Sequence, residues 1–154
     1  MKYLKLFESH LPIWYENISS TAPSAFANMT SMEKTTVDYL VGKVVDDIVI
    51  NSSMDEVVFY LEDGDTVVFY HEQDCCEGFV LEDVEGDFLE IINTRILLAE
   101  ERISVDNPSD RYNDDSNTWT FYTIRTLRGT VVMRFCGSSN GYYSERCDIA
   151  LIRK

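Results

Sequence analysis

Two apolar runs, Val57-Val58-Phe59-Tyr60-Leu61 and Thr66-Val67-Val68-Phe69-Tyr70, stand on either side of Asp63-Gly64. No other feature restricts the chain as much. β-Branched and aromatic residues favour a pleated, half-buried strand. Asp-Gly is a strong type I′ hairpin signal, because glycine accepts positive φ without steric cost. A two-residue loop there predicts Leu61 opposite Thr66, Phe59 opposite Val68, Val57 opposite Tyr70 and Glu56 opposite His71. Both faces of such a hairpin are largely apolar, so it belongs inside a sandwich or under a helix and not at an open edge.

The β pattern begins after Lys43 with Val44, Val45, Ile48, Val49 and Ile50. A second hairpin, turned at Arg128-Gly129, predicts Tyr122 opposite Phe135, Ile124 opposite Met133 and Thr126 opposite Val131 on a buried face. Its other face sets Thr123 opposite Arg134 and Arg125 opposite Val132, so the two arginines become diagonal neighbours. At Asn140-Gly141, a two-residue loop would bury Asp148 opposite Met133. A three-residue loop, Ser139-Asn140-Gly141, pairs Met133 with Cys147 and Val131 with Ile149, which keeps burial consistent. Gly86 to Asn93 reads as one or two helical turns with Asp87 as N-cap. Arg95 to Val105 resumes as a strand, and Asp106 to Asn117 reads as a surface loop.

The expected fold class is mainly β (α+β): an antiparallel sandwich or partly closed barrel of about 7–8 strands with one short helix. Residues 1–42 form an N-terminal arm, with an aromatic-rich cluster from Leu4 to Tyr15, and residues 43–154 form a single β-rich domain. The length of 154 residues suits one core.

Charge sharpens this picture. The chain carries 27 Asp or Glu against 13 Lys or Arg, a net charge of -14. Between Val44 and Thr94 there are 15 acids and no Lys or Arg, whereas Ser116 to Lys154 holds six bases and two acids. Such a surface repels nucleic acid and anionic membranes, so neither is expected as a direct ligand. No apolar run approaches the roughly 18 to 20 residues that span a bilayer. The N-terminus also lacks a signal-peptide core, which makes the cytoplasm the expected location. A solvated surface that keeps the protein soluble accounts for acids in general. The unbroken run points further, to one negative face built from Asp46, Asp47, Asp55, Glu56, Glu62, Asp63, Asp65, Glu72, Asp74 and Glu77.

The densest polar segment is His71-Glu72-Gln73-Asp74-Cys75-Cys76-Glu77. Thiolate, imidazole and carboxylate are zinc-ligand types, but C-x2-C is missing and the other histidine is His10. On the register above, Cys147 faces the buried side and Cys136 the side of Arg134, so they do not converge. No metal or other cofactor is therefore expected. A bulged connection with small buried thiols and outward acids is the plainer reading. Without an export signal the thiols are expected reduced, and adjacent cysteines are a poor pair for a strain-free bridge. On a regular strand Cys75 lies about 13 Å from His71, too far for proton transfer. With no phosphate loop, nucleophile elbow or H-E-x-x-H, an enzyme is not expected. The alternative is a small-ligand site, for a nucleotide signal or a metal. It would lie between His71, Cys75 and Cys76 and the Tyr142-Tyr143 turn, with Arg125 and Arg134 meeting phosphates.

Several motifs stand together: His71-x-x-Asp74-Cys75-Cys76-Glu77, Val84-x-Gly86-Asp87, Ile96-Leu97-x-Ala99-Glu100-Glu101, Thr118-Trp119-Thr120-Phe121-Tyr122 and Ser139-Asn140-Gly141-Tyr142-Tyr143-Ser144-Glu145. In combination they resemble a family of small uncharacterised proteins found mostly in bacteriophage genomes and prophages. The resemblance covers roughly Val44 to Ile152. Where that family has Trp or Tyr ahead of the last turn, this chain has Phe135-Cys136. The resemblance implies a setting and transfers no catalytic role. It suggests a host-directed inhibitor whose partner is a host protein or protein–nucleic acid complex with a basic groove. Defence nucleases and CRISPR effectors expose such channels, and a carboxylate surface could occupy one as phosphate does.

Overall fold

The computed structural model describes residues 32–104 and 116–154. The arm's cluster from Leu4 to Tyr15, and most of the segment expected as a loop after Val105, lie outside the described residues. The strands are β1 (Glu33–Lys34), β2 (Val45–Ile50), β3 (Val57–Leu61), β4 (Thr66–Tyr70), β5 (Gly78–Glu85), β6 (Leu98–Ser104), β7 (Ser116–Arg125), β8 (Thr130–Ser139) and β9 (Asp148–Ile152). They form two antiparallel sheets, a five-stranded one ordered β1-β9-β4-β3-β2 and a four-stranded one ordered β5-β8-β7-β6. This is the expected mainly β sandwich, and no barrel closes among the described residues. In place of one short helix there are two 3-10 turns, Val37–Leu40 and Phe88–Glu90. Asp87 caps the second by accepting the Leu89 N–H at 2.9 Å. Segments ahead of Lys43 join the β unit, since Lys34 pairs with Ala150 and Val37 and Leu40 are buried.

The core lies between the sheets. Val57, Phe59, Leu61, Val67 and Phe69 face Leu81, Val84, Tyr122, Ile124, Val131, Met133 and Phe135. Tyr122, Ile124 and Phe135 are buried, as the second hairpin's expected inner face requires. The outer face of the five-stranded sheet carries a separate cluster of Val49, Val58, Val68, Tyr70 and Ala150. The central hairpin is therefore apolar on both sides.

Three expected registers are corrected. In the first hairpin, Phe59 opposes Val67 and Val57 opposes Phe69, one residue away from the expected pairing. Gly64 donates to the Leu61 carbonyl at 2.9 Å and Leu61 donates to the Asp65 carbonyl at 2.9 Å, so the loop holds three residues. Gly64, at φ +93°, fills its last, left-handed position. With apolar residues on both faces, hydrophobic patterning does not select between the two registers, and the turn does. In the second hairpin, Tyr122 opposes Met133, Ile124 opposes Val131 and Phe121 opposes Arg134. This is a slip of two residues, which preserves the faces. The turn falls on Leu127-Arg128 because Thr126 donates to the Gly129 carbonyl and its hydroxyl donates to the Glu90 carbonyl at 2.7 Å.

The third expected hairpin does not form. The edge of β8 away from β7 is occupied by β5, with Met133 opposite Val84. β9 crosses to the other sheet, placing Ala150 opposite Val68 and Ile149 opposite Phe69. Asn117, expected in a loop, lies in β7 opposite Ser138.

Candidate functional site

Where β4 ends at Tyr70, the chain closes around one buried carboxylate, Glu77. Its Oε1 accepts the Asp74 N–H at 2.5 Å and its Oε2 accepts the Cys75 N–H at 3.0 Å. The same Oε1 lies 3.1 Å from His71 Nε2. His71 Nδ1 meets the Arg146 carbonyl at 2.8 Å, and its ring stacks on Phe79 at 5.2 Å. Gln73 donates to the carbonyls of Cys75 at 3.1 Å and Glu77 at 3.2 Å. The loop is thus built on hydrogen bonds to an anion, with little apolar support.

The Asp74 N–H, together with the Cys75 N–H and His71, pulls the Glu77 carboxyl from 4.5 down to about 2. A carboxylate whose folded value is depressed stabilises the fold above its unfolded value and loses that contribution as pH falls. Glu77 should therefore lose its contribution between pH 4.5 and about 2. Urea unfolding across that window measures it. The difference between wild type and Glu77→Gln should be largest at neutral pH and should shrink through the window. A pH-independent difference would contradict the assignment.

The expectations for this segment change in two respects. Cys75 and Cys76 are exposed instead of packed as small hydrophobes, and they are joined to each other in a disulfide instead of being reduced. The straight-strand spacing between His71 and Cys75 does not apply, because residues 71–77 form a loop. Both His71 nitrogens already face protein acceptors. Among the described residues, no group of three or more His, Cys, Asp or Glu is arranged to hold a metal ion. Cys147 is buried in the core cluster, where desolvation pushes its thiol well above the ordinary range.

The acids proposed for one face divide between the two ends of the five-stranded sheet. Asp46, Asp47, Glu62, Asp63 and Asp65 gather at the β3–β4 turn, because β2 starts opposite the end of β3. Asp55, Glu56, Glu72, Asp74 and Glu77 lie at the other end, where β3 starts and β4 ends. The separation is about 17 Å, the length of a five-residue strand. Cations also offset part of the charge. Asp63 pairs with Lys43 and Glu72 pairs with Lys34 at 2.7 Å, whereas Asp65 accepts a hydrogen bond from the Tyr39 hydroxyl, which leaves its charge in place. Glu77 faces inward, so it is not part of any surface.

The alternative ligand set is likewise spread out. Arg134 lies opposite Phe121, over the Trp119 ring at 5.1 Å and 3.9 Å from Asp83. Arg125 pairs with Thr130 at the far end of the strand, so the two arginines are not diagonal neighbours. Tyr142 is 86% exposed and meets Tyr143 edge-on at 5.4 Å, beyond the opposite end of β8. That turn is anchored by Glu145, a buried carboxylate that accepts from Thr118 at 3.0 Å and Ser139 at 2.7 Å.

Small concavities lie beside His71, about 60 Å3, and at Glu62 and Asp63, about 260 Å3, while two clefts of greater volume lie elsewhere. A cleft of about 750 Å3 runs along β6, lined by Asp38, Glu85, Glu100 and Glu101 around Phe121 and Val132. Among the described residues its one basic lining residue, Arg102, lies over the Phe121 ring at 4.6 Å. A smaller cleft of about 470 Å3 shares Asp38 and Glu101 and reaches Arg146 and Cys147. At its side the Tyr122 hydroxyl donates to Glu101 at 2.7 Å. The acidic run points away from this place. Asp38 precedes the run, Glu100 and Glu101 follow it, and only pairing in the four-stranded sheet sets Glu85 and Glu100 on either side of Val132 and Thr123.

The fold and this geometry define an antiparallel β-sandwich with an acidic cleft beside one sheet edge. Residues 38–149 match the model of a family described as a domain of unknown function, DUF7448, and the chain belongs to that family. No curated protein and no solved structure matches the chain. Among the described residues, no helix is long and apolar enough to cross a membrane.

Proposed function

We propose that this is a binding protein and not an enzyme, and that its acidic surface engages a basic, nucleic-acid-binding surface on a protein partner. The observation that carries the reading is the cleft along β6. Asp38, Glu85, Glu100 and Glu101 stand there around Val132 and Phe121. Arg102 already covers the Phe121 ring, and the carboxylates suit a partner's Lys or Arg side chains through charge. The phage setting implied by the resemblance makes a bacterial defence complex the natural target. The protein would act as an anti-CRISPR-like inhibitor in the host cytoplasm, with no direct nucleic-acid contact and no cofactor.

Titration against a CRISPR effector at low and high salt tests this. Binding should weaken at least about tenfold as salt is raised and in Glu85→Lys or Glu100→Lys. Asp63→Lys should have a smaller effect, because Asp63 is already paired with Lys43. Binding that ignores both salt and the two cleft substitutions sinks the proposal.

A further inference from the structure

The loop from His71 to Glu77 carries a covalent bond that the acidic surface does not explain. The chain has four cysteines, and they divide sharply. Cys136 and Cys147 are buried free thiols. Cys75 and Cys76 are exposed and bonded to each other. A disulfide stabilises a fold chiefly by closing a loop of chain, and more so for a longer loop. Neighbours in sequence enclose no such loop, so this bridge adds little to the stability of the sandwich. What it does fix is the single peptide unit between the two cysteines. Its exposure also leaves the sulfurs open to an attacking thiolate, the route by which disulfides are made and broken.

That peptide unit lies inside the hydrogen-bonded network around Glu77. The Asp74 N–H and the Cys75 N–H both donate to the Glu77 carboxylate. Gln73 donates to the carbonyls of Cys75 and Glu77. Neither bridged cysteine belongs to a hydrophobic cluster, so hydrogen bonds and the bridge itself hold this stretch. The network continues beyond the loop. Glu77 Oε1 lies 3.1 Å from His71 Nε2, and His71 Nδ1 lies 2.8 Å from the Arg146 carbonyl. Arg146 and Cys147 line the cleft of about 470 Å3. A short chain of hydrogen bonds therefore joins the disulfide to the β8–β9 connection and to one wall of that cleft.

We infer that Cys75–Cys76 is a thiol–disulfide exchange site, with a dithiol as its co-substrate, and that its redox state sets how firmly the loop is held. A thiolate of the dithiol attacks one cysteine sulfur. The S–S bond breaks, a mixed disulfide forms, and the other cysteine leaves as a thiolate that takes up a proton. The second thiol of the reductant then displaces the first cysteine, so two electrons and two protons pass from dithiol to protein. The reductant departs as its own disulfide. Reduction frees the peptide unit, and the Asp74 and Cys75 N–H groups lose their fixed aim at Glu77. His71 and the Arg146 carbonyl are loosened in turn.

Alkylation of the native full chain with iodoacetamide, read by intact mass, tests the site, and amide exchange tests its effect. Without reductant no adduct should form, because Cys136 and Cys147 are buried. After dithiothreitol, Cys75 and Cys76 should each take one. Exchange at Asp74 and Cys75 should be at least about tenfold faster in the reduced chain, with a smaller gain at Cys147. Val58 and Val68, in paired central strands, should not change. Cys75→Ser/Cys76→Ser should exchange as the reduced chain does and ignore dithiothreitol. Adducts on Cys75 and Cys76 before any reductant, or equal exchange in the two states, overturn the inference. Faster exchange at Val58 and Val68 as well would make the bridge a global staple and overturn the local assignment. None of these readouts depends on what the acidic cleft binds.

Discussion

Phe69→Ala should destabilise the protein by about 3–5 kcal/mol, the range for losing a fully buried aromatic ring. Phe69 is 0% exposed and is the ring through which the two sheets touch. It lies 5.2 Å from Phe59 within its own sheet. Across the interface it meets Tyr122 edge-on at 4.9 Å and stacks with Phe135 at 6.3 Å. Phe135 continues the stack to Phe79 at 5.3 Å, and Phe79 packs on His71. Removing Phe69 leaves a cavity between two hydrogen-bonded sheets, which cannot easily collapse to fill it. Urea unfolding followed by tryptophan fluorescence measures the loss. Phe69→Leu should lose clearly less, and a loss of under about 1 kcal/mol in the alanine variant would contradict the packing described.

Gly137→Ala should cost about 3 kcal/mol, at the upper end for overpacking, because backbone and not a flexible side chain is in the way. A Cβ at Gly137 would meet the carbonyl oxygen of Glu145, with its carbonyl carbon at 2.7 Å and its Cα at 2.9 Å. Relief means pushing the β8–β9 connection off the sheet, and two other features depend on that connection. Glu145 holds Thr118 and Ser139, and the Arg146 carbonyl receives His71. The damage should therefore reach the loop around Glu77, and amide exchange at Asp74 and Cys75 should accelerate along with the global loss. Gly141→Ala is the comparison. Its site is open, with the nearest atom 3.9 Å away, so only its left-handed φ of +87° is strained. That should cost about 1 kcal/mol. Equal stability of Gly137→Ala and wild type would remove the close approach from the account.

Much of the architecture is legible in the residue pattern. The runs around Asp63-Gly64 read as strands because β-branched and aromatic residues crowd a helix and suit a pleat. The alternation Tyr122, Ile124 and Val131, Met133, Phe135 identifies one buried face, and that face is inside. Asp87 caps its turn as its position suggests. Registers are less legible. Glycines mark where a chain reverses, but loop length depends on contacts to distant residues such as Glu90 at the second turn.

The candidate site was harder to read, since charge along a chain is not charge on a surface. The unbroken run from Asp46 to Glu77 traverses β2, β3 and β4, and each reversal carries successive acids to opposite ends of the sheet. Asp38, Glu85, Glu100 and Glu101 are far apart in the chain and meet at one cleft. By itself the sequence determined the strand-forming segments, the inward faces and the acidic balance, because these depend on local sterics and on side-chain composition. The tertiary structure alone decided which strands share a sheet, sending β9 to β4 because β5 already held the edge of β8. It also decided which charges meet, because strand pairing joins residues by hydrogen-bond register and not by their separation along the chain.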